Sequence, residues 1–158
     1  IEQPLSYYDV IDHAELQRQL ETPICLDESI HHPDDARHAI EPKACRIINM
    51  KVGRVGGTSN ALKIHEMTQA AGIPLWCGGM FESGVGRATN IALATLPNFT
   101  LPGDISSTDR HFKEDVTRFF YINPEDSTMS APEGPGIGVE VDTKQIESRR
   151  QRHHAASA

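Results

Sequence analysis

The sequence predicts an α/β fold, the C-terminal part of a TIM-type (β/α) barrel that is truncated before about the fourth strand. Three short apolar runs each contain or end in a charged residue, namely Glu2, Asp27 and Lys51. These charges recur at intervals of 25 and 24 residues, which fits one strand, one helix and two loops. Parallel strands buried on both faces are continuous apolar runs, and barrels of this kind carry their reactive side chains at the strands' carboxyl ends. The pattern therefore predicts successive β/α units with an active site at one end.

The number of strand-like runs predicts only part of a barrel. A closed eight-stranded barrel takes about 250 residues, whereas this chain has 158. Five β-like runs are visible, and we expect them to be the later strands of the barrel. They lie near residue 1 and at about residues 24–26, 46–51, 73–77 and 99–101.

Four helices are predicted between these runs. Asp12 and Glu15 have the spacing of a capping box. Pro33 suits the first turn of the second helix, and Thr58 or Ser59 suits the cap of the third. The predicted helices cover about residues 12–21, 33–41, 58–71 and 83–95.

The β/α rhythm stops beyond about residue 107. We therefore predict the C-terminal half of a β/α barrel over residues 1–106 and a C-terminal wrapping segment over residues 107–142. Residues 143–158 are polar and predict a disordered tail. An open half-barrel is also expected to leave several apolar strand residues facing water, namely Ile24, Leu26, Ile48 and Leu75.

Composition and charge exclude several classes of partner. The net charge of −7 argues against nucleic acid and against an anionic membrane surface. No apolar stretch approaches the roughly 20 residues that span a bilayer. The three cysteines form no CxxC pair and predict buried free thiols in a reducing, cytoplasmic compartment.

The charged strand ends predict a metal site with a base beside it. Glu2 and Asp27 offer hard oxygen ligands that suit Mg²⁺, with Mn²⁺ as an alternative, better than zinc. Lys51 is a candidate for proton transfer at a carbon next to a carboxylate, provided that burial and nearby cations lower its ordinary pKa. Arg54 is one such cation. A buried ion-pair network formed by the same residues is the alternative that spacing leaves open.

A glycine-rich turn follows the fourth predicted run. The backbone N–H groups around Gly79 and Met80 are expected to face the same mouth as Lys51 and to hold a second carboxylate of a substrate. Trp76 and Phe81 flank this turn, and core packing is the default expectation for both. The candidate substrate-binding residues are Arg54, Gly79, Met80 and Phe81.

Taken together, the motifs resemble the muconate-lactonizing-enzyme subgroup of the enolase superfamily, and within it the o-succinylbenzoate synthase / N-succinylamino acid racemase family. The resemblance covers roughly residues 1–142 and rests on motifs in the right order. They are Ile1-Glu2-Gln3-Pro4, Leu26-Asp27-Glu28-Ser29, the run from Asn49 to Gly57, the run from Trp76 to Gly84, and the segments at residues 101–106 and 135–139.

The resemblance implies a function and the parts that perform it. It makes Glu2 and Asp27 ligands of Mg²⁺, Lys51 one of two acid/base lysines, and Arg54 similar to an arginine of racemase-capable members. The family's third metal carboxylate, its Lys-x-Lys pair and its capping domain belong to earlier segments, so this chain alone is expected to be inactive.

The implied reaction leaves alternatives open. It is the dehydration that forms o-succinylbenzoate in menaquinone synthesis, through proton abstraction next to a carboxylate. Racemisation of N-succinyl amino acids is the alternative, and a non-catalytic fragment or assembly module is an alternative of another class. The expected partner is a small carboxylate substrate, and the full-length form is expected to be a homo-oligomer.

Overall fold

The computed structural model describes residues 1–156, with side chains described as far as residue 150. The chain forms two compact units. The first unit comprises Ile1–Gly78 and Ala94–Asp104, and the second comprises Gly79–Leu93 and the chain from Ile105 onward. The predicted boundaries at residues 106 and 142 stay a prediction.

Strands and helices alternate along the chain. The helices are α1 (Val10–Gln19), α2 (Pro33–Ile40), α3 (Thr58–Ala70), α4 (Gly84–Ala94) and α5 (Thr143–Ala156), with a 3₁₀ turn at Thr108–Arg110. The strands are β1 (Cys25–Leu26), β2 (Ile47–Met50) and β3 (Leu75–Cys77), which form a parallel sheet in the order β1-β2-β3. The α/β class and the parallel repeat are confirmed, and they are what a segment of a (β/α) barrel provides.

Two of the five predicted runs contribute isolated bridges rather than strands. Glu2 forms a parallel bridge with Cys25, and Phe99 forms one with Leu75. These segments extend the sheet on both sides of the three strands. The parallel order therefore continues through all five runs, although only the central three have ladders of two or more residues.

The capping residues differ in part from those predicted. Asp9, rather than Asp12, caps α1 by accepting a hydrogen bond from the Asp12 backbone N–H. The predicted cap of α3 by Thr58 or Ser59 is wrong, because Gly57 occupies that position and no side chain caps the helix. Gly57 has a φ of 102°, a conformation that favours glycine.

The apolar strand residues are buried, which corrects the expectation that they face water. Leu26, Ile48 and Leu75 are partners in the strand register and share one face of the sheet, and each is 0% exposed, as is Ile24. Alternation places Cys25, Ile47, Asn49 and Trp76 on the other face, where Ile47 and Trp76 are only partly buried. The open face is therefore the one that carries the polar residues of the site.

The second unit has its own small core. Ala88 and Ile91 of α4 pack with Phe120, and Ile105, Met129 and Val139 surround them. Arg87 is fully buried beside this core, where its Nε donates to the Ser106 carbonyl at 2.7 Å.

Helix α5 stands where the sequence predicts a disordered tail. The Asp142 carboxylate accepts hydrogen bonds from the backbone N–H groups of Lys144 and Gln145, at 2.9 and 3.2 Å. Such a cap supplies a local reason for helix formation that a reading based on hydrophobic pattern overlooks. Residues 157 and 158 of the predicted tail lie outside the described residues. No helix in the described part of the chain has the length and apolar character to cross a bilayer.

Candidate active site

The strand ends bring Glu2, Asp27 and Lys51 onto one face of the sheet. Glu2 is opposite Cys25, and Asp27 follows Cys25 by two residues. Lys51 follows Asn49 by two residues at the end of β2. Side chains two residues apart in a strand point to the same face of the sheet. Glu2, Asp27 and Lys51 therefore lie on the face that carries Cys25, Ile47 and Asn49. The sequence prediction that these charges gather at one end is confirmed by this geometry.

Asp27 lies between two cations. Its Oδ2 is 2.8 Å from the Lys51 Nζ, and its Oδ1 forms an ion pair with the Arg54 guanidinium. The side chains are sheltered, with 5% of the Asp27 side chain exposed against 19% for Lys51 and 14% for Arg54. Shelter from water strengthens the attraction within such a pair. This network also matches the alternative that the spacing left open.

Arg54 is fixed at several points. Its Nε donates to the Ile30 carbonyl at 2.9 Å, and its Nη2 donates to the Asn49 carbonyl at 3.0 Å. The turn after β2 brings it there, because the Arg54 N–H donates to the Lys51 carbonyl at 3.0 Å. Arg54 therefore contacts Asp27 from a position that three further hydrogen bonds fix.

Gln3 and Asn49 belong to the site and were missed by sequence reasoning. The Gln3 Oε1 accepts from the backbone N–H groups of Asp27 and Ser29, at 3.0 and 3.3 Å. The Asn49 Nδ2 donates to the Glu2 Oε1 at 2.9 Å. An asparagine within the apolar run of β2 was the available clue to Asn49.

Gly78 leaves room for two neighbouring side chains. A Cβ at this position would overlap the Asn49 Oδ1 and would lie 2.8 Å from the Lys51 Cε. Real Cβ atoms do not approach other atoms as closely as either of these two contacts would require. Glycine is therefore required here for packing, since its φ is not in the left-handed region.

The remaining predicted substrate-binding residues belong to the second unit. The Met80 N–H donates to the Glu82 Oε1 at 2.8 Å. Met80 and Phe81 are 53% and 77% exposed, so the expected core packing of Phe81 is wrong. The Phe81 ring instead contacts the edge of His111, with centroids 4.8 Å apart. Their role beside Lys51 stays a prediction.

The donor set fits a hard divalent cation, but only in part. Glu2 and Asp27 offer carboxylate oxygens, which Mg²⁺ prefers. Within the part of the chain that the structure describes, no three histidine, cysteine, aspartate or glutamate side chains are placed to hold a metal together.

Cys25, Cys45 and Cys77 are buried thiols outside any disulfide, as the sequence predicts. Burial raises the pKa of the Cys45 thiol to about 12. Burial likewise raises the pKa of Cys25 to about 11, although the Trp76 indole N–H, 3.2 Å from its sulfur, partly opposes this. Neither thiol is a ready nucleophile at neutral pH.

A cavity of about 520 Å³ lies away from these residues. Its lining includes Cys45 and Arg46, which precede β2, and Gly72 and Ile73, which precede β3. It is therefore at the amino ends of the strands, opposite to the charged ends. Because reactive groups of parallel β/α proteins lie at the carboxyl ends, we assign the site to the charged ends.

A family model described as enolase C-terminal domain-like matches residues 1–145. The chain belongs to this family. The predicted resemblance to the enolase superfamily is thereby confirmed, and the strand-end carboxylates and Lys51 lie within the matched residues.

Known enolase-family proteins agree with this assignment. The chain is 51% identical to an o-succinylbenzoate synthase of Geobacillus stearothermophilus, over 96% of this chain and 40% of the relative. It is also 51% identical to an N-succinylamino acid racemase of Thermus thermophilus, over 99% of this chain and 43% of the relative. A solved enolase-superfamily member from Listeria innocua superposes with a TM-score of 0.86 at 48% identity, over 94% of this chain and 40% of the other. The chain thus spans about two fifths of the length of these relatives.

Proposed function

We propose that the complete gene product is an Mg²⁺-dependent lyase of the o-succinylbenzoate synthase type. The observation that carries the proposal is the Lys51–Asp27 pair at 2.8 Å, on the face that also bears Glu2. A candidate acid/base group thereby lies beside a candidate metal ligand. The relatives named o-succinylbenzoate synthase support the choice of reaction.

The chain's own residues would divide the work. Glu2 and Asp27 would hold Mg²⁺ together with ligands from outside this chain, and the ion would stabilise negative charge that develops on a substrate carboxylate. Lys51, once it has given up its proton, would accept the proton from the carbon next to that carboxylate. Arg54 would hold Asp27 in place, and partial burial of Lys51 would limit competition from water.

The substrate would be a small carboxylate bound at the mouth of the strands. Gly79, Met80 and Phe81 are proposed to contact the part of the substrate remote from the reacting carbon. The place of this turn directly after β3, the neighbour of the strand that ends at Lys51, supports this role. We further propose a cytoplasmic, homo-oligomeric enzyme of the menaquinone pathway.

Racemisation of N-succinyl amino acids is the second candidate. Its support is the relative of that name at the same 51% identity. Both reactions begin by moving a proton next to a carboxylate, so both use Glu2, Asp27 and Lys51 in the same way.

The test is an assay of the complete gene product on both substrates with Mg²⁺ present. Formation of o-succinylbenzoate at a higher kcat/KM than racemisation supports the proposal. Faster racemisation would make the second candidate the function. Absence of both activities in a folded, Mg²⁺-loaded protein would contradict the proposal and favour a non-catalytic module.

A further inference from the structure

The Asn49 side chain is buried in the middle of the site, and half of its amide has no partner. Asn49 is 1% exposed and lies on β2 between Ile48 and Met50, which are fully buried. Its Nδ2 donates to Glu2, whereas its Oδ1 is buried without a hydrogen-bond partner. A buried acceptor left unpaired costs about 1–3 kcal/mol of stability. An apolar residue of the same shape would suit the fold better.

Glu2 depends on this amide for its orientation. The residue is exposed, and the hydrogen bond that the structure gives its carboxylate within the described chain comes from Asn49. This bond engages Oε1 and leaves Oε2 without a donor among the described residues. A carboxylate held through one oxygen presents the other in a defined direction, which is what a hard cation requires of a ligand.

Asn49 is also connected to the second carboxylate. Its backbone carbonyl accepts from the Arg54 Nη2 at 3.0 Å, and Arg54 forms an ion pair with Asp27. One residue on a rigid strand is therefore linked to Glu2 through its side chain and to Asp27 through Arg54.

Gly78 shows how closely the amide is packed. A Cβ at Gly78 would lie 2.9 Å from the Asn49 Cγ and 2.8 Å from the Lys51 Cε, so both side chains converge on one backbone position. The amide therefore has little freedom to rotate away from Glu2.

We propose that Asn49 is a positioning residue that orients Glu2 toward a divalent cation, at the expense of an unpaired acceptor in the core. This inference rests on the proposed function, since it takes Glu2 to be a ligand of Mg²⁺. It assigns to Asn49 no contact with the substrate.

The test compares Asn49→Leu with Asn98→Leu in the complete gene product. Leucine matches asparagine in shape but donates no hydrogen bond. Asn98 is the matched control, because its Nδ2 donates to the Thr68 Oγ1 and the Ile73 carbonyl, far along the chain from the charged ends. Two quantities are measured for each variant: the Mg²⁺ dissociation constant by calorimetry and the free energy of unfolding by urea denaturation.

We expect opposite results for the two variants. Asn49→Leu should weaken Mg²⁺ binding by about 10- to 100-fold, the usual effect of losing a group that orients a metal ligand. Its stability should be unchanged or higher, because the unpaired acceptor is gone. Asn98→Leu should lower stability and leave the Mg²⁺ dissociation constant unchanged.

A second variant guards against misfolding of the first. Asn49→Ala is smaller and cannot press on Gly78, and it should weaken Mg²⁺ binding by a similar factor. Unchanged Mg²⁺ binding in a folded Asn49 variant, with wild type binding normally, would overturn this inference alone. Wild-type protein that fails to bind Mg²⁺ would overturn the proposed function, and this inference with it.

Discussion

The Lys51 ammonium group lies 2.8 Å from Oδ2 of Asp27, so the predicted base and a predicted metal ligand form an ion pair. Asp27 shares its other oxygen with Arg54. The one Asp27 carboxylate therefore pairs with two cations. A divalent ion that binds Asp27 would meet a carboxylate whose negative charge Lys51 and Arg54 already neutralise in part. Among the described residues, Glu2 on the neighbouring segment forms an ion pair with neither cation, and its carboxylate accepts a hydrogen bond from Asn49 instead.

Replacement of Lys51 by alanine should abolish both candidate reactions or nearly so. Arg54 is also paired with Asp27, but its guanidinium has no acceptor site for a proton, so Lys51 is the candidate base on that face. General acid–base groups contribute about 10²- to 10⁴-fold to rate, and we expect a loss of that order in kcat. Lys63→Ala, on an exposed position of α3, is the control. A purely structural ion-pair network would instead lower stability and leave kcat in place.

Arg54→Gln should be milder and should slow racemisation more than dehydration. Racemisation requires Lys51 to accept a proton in one direction and to return it in the other, so it is sensitive to both charge states of the lysine. Arg54 shares Asp27 with Lys51 and thus affects how that lysine is held. The measurement is the ratio of the two kcat/KM values in variant and wild type. An equal loss of both activities would mean that Arg54 only holds the loop.

The 158-residue chain by itself should bind Mg²⁺ weakly. Glu2 and Asp27 are two oxygen ligands, and the described residues provide no group of three. Sites with a low count of charged ligands bind hard cations with millimolar affinity or weaker, on the order of 10⁻³ M. Calorimetric titration of this chain should therefore show little heat at micromolar Mg²⁺. Micromolar binding would mean that the chain completes the site without further ligands.

Arg87→Met should destabilise the second unit strongly. Arg87 is 0% exposed, its Nη1 lies 3.9 Å from the Asp115 Oδ2, and Asp115 also accepts from the Gly84 N–H. Removing one member of a buried ion pair leaves an uncompensated charge and costs about 3–5 kcal/mol. Urea denaturation gives the change, with Arg110→Met on an exposed position as control. Equal stability of the two variants would show that Asp115 is satisfied without Arg87.

Cys45 should make the protein less stable in alkali. Its pKa is raised by burial to about 12, from an ordinary value of 9.0. The stability that comes from the neutral buried thiol is therefore complete below pH 9 and is lost as the pH rises toward 12. Between about pH 8 and 10.5, wild type should lose about 2 kcal/mol more than Cys45→Ala, because the unfolded thiol ionises in this range and the buried thiol does not. Parallel pH profiles of unfolding for the two proteins would contradict this.

Much of the candidate site could be predicted from the sequence, because a charged residue at the end of an apolar run can be recognised without knowledge of the three-dimensional structure. The interval between Glu2, Asp27 and Lys51 fixed their common end of the sheet, and alternation fixed their common face. The exposure of Leu26 and Ile48 was predicted wrongly. Their side chains lie on the face of the sheet that the helices cover, and they were assigned instead to the face that lines the barrel interior.

Other features depend on contacts between distant parts of the chain and have no local pattern. The hydrogen bond from Asn49 to Glu2 joins residues 47 positions apart, and the bond from Arg87 to Ser106 spans 19. The exposure of Phe81 likewise depends on which segment covers it, and the sequence of the turn does not contain that information.

Trp76 gives the molecule a built-in optical probe. It is the single tryptophan of the sequence, it is partly exposed, and it lies on the same face of the sheet as Asn49. Its indole N–H points to the Cys25 sulfur at 3.2 Å, across the strand that carries Asn49 and Lys51. The Cys25 thiol beside the indole would quench its fluorescence. A ligand that binds on this face of the sheet would therefore change the wavelength and the intensity of the Trp76 emission, and no label would be needed.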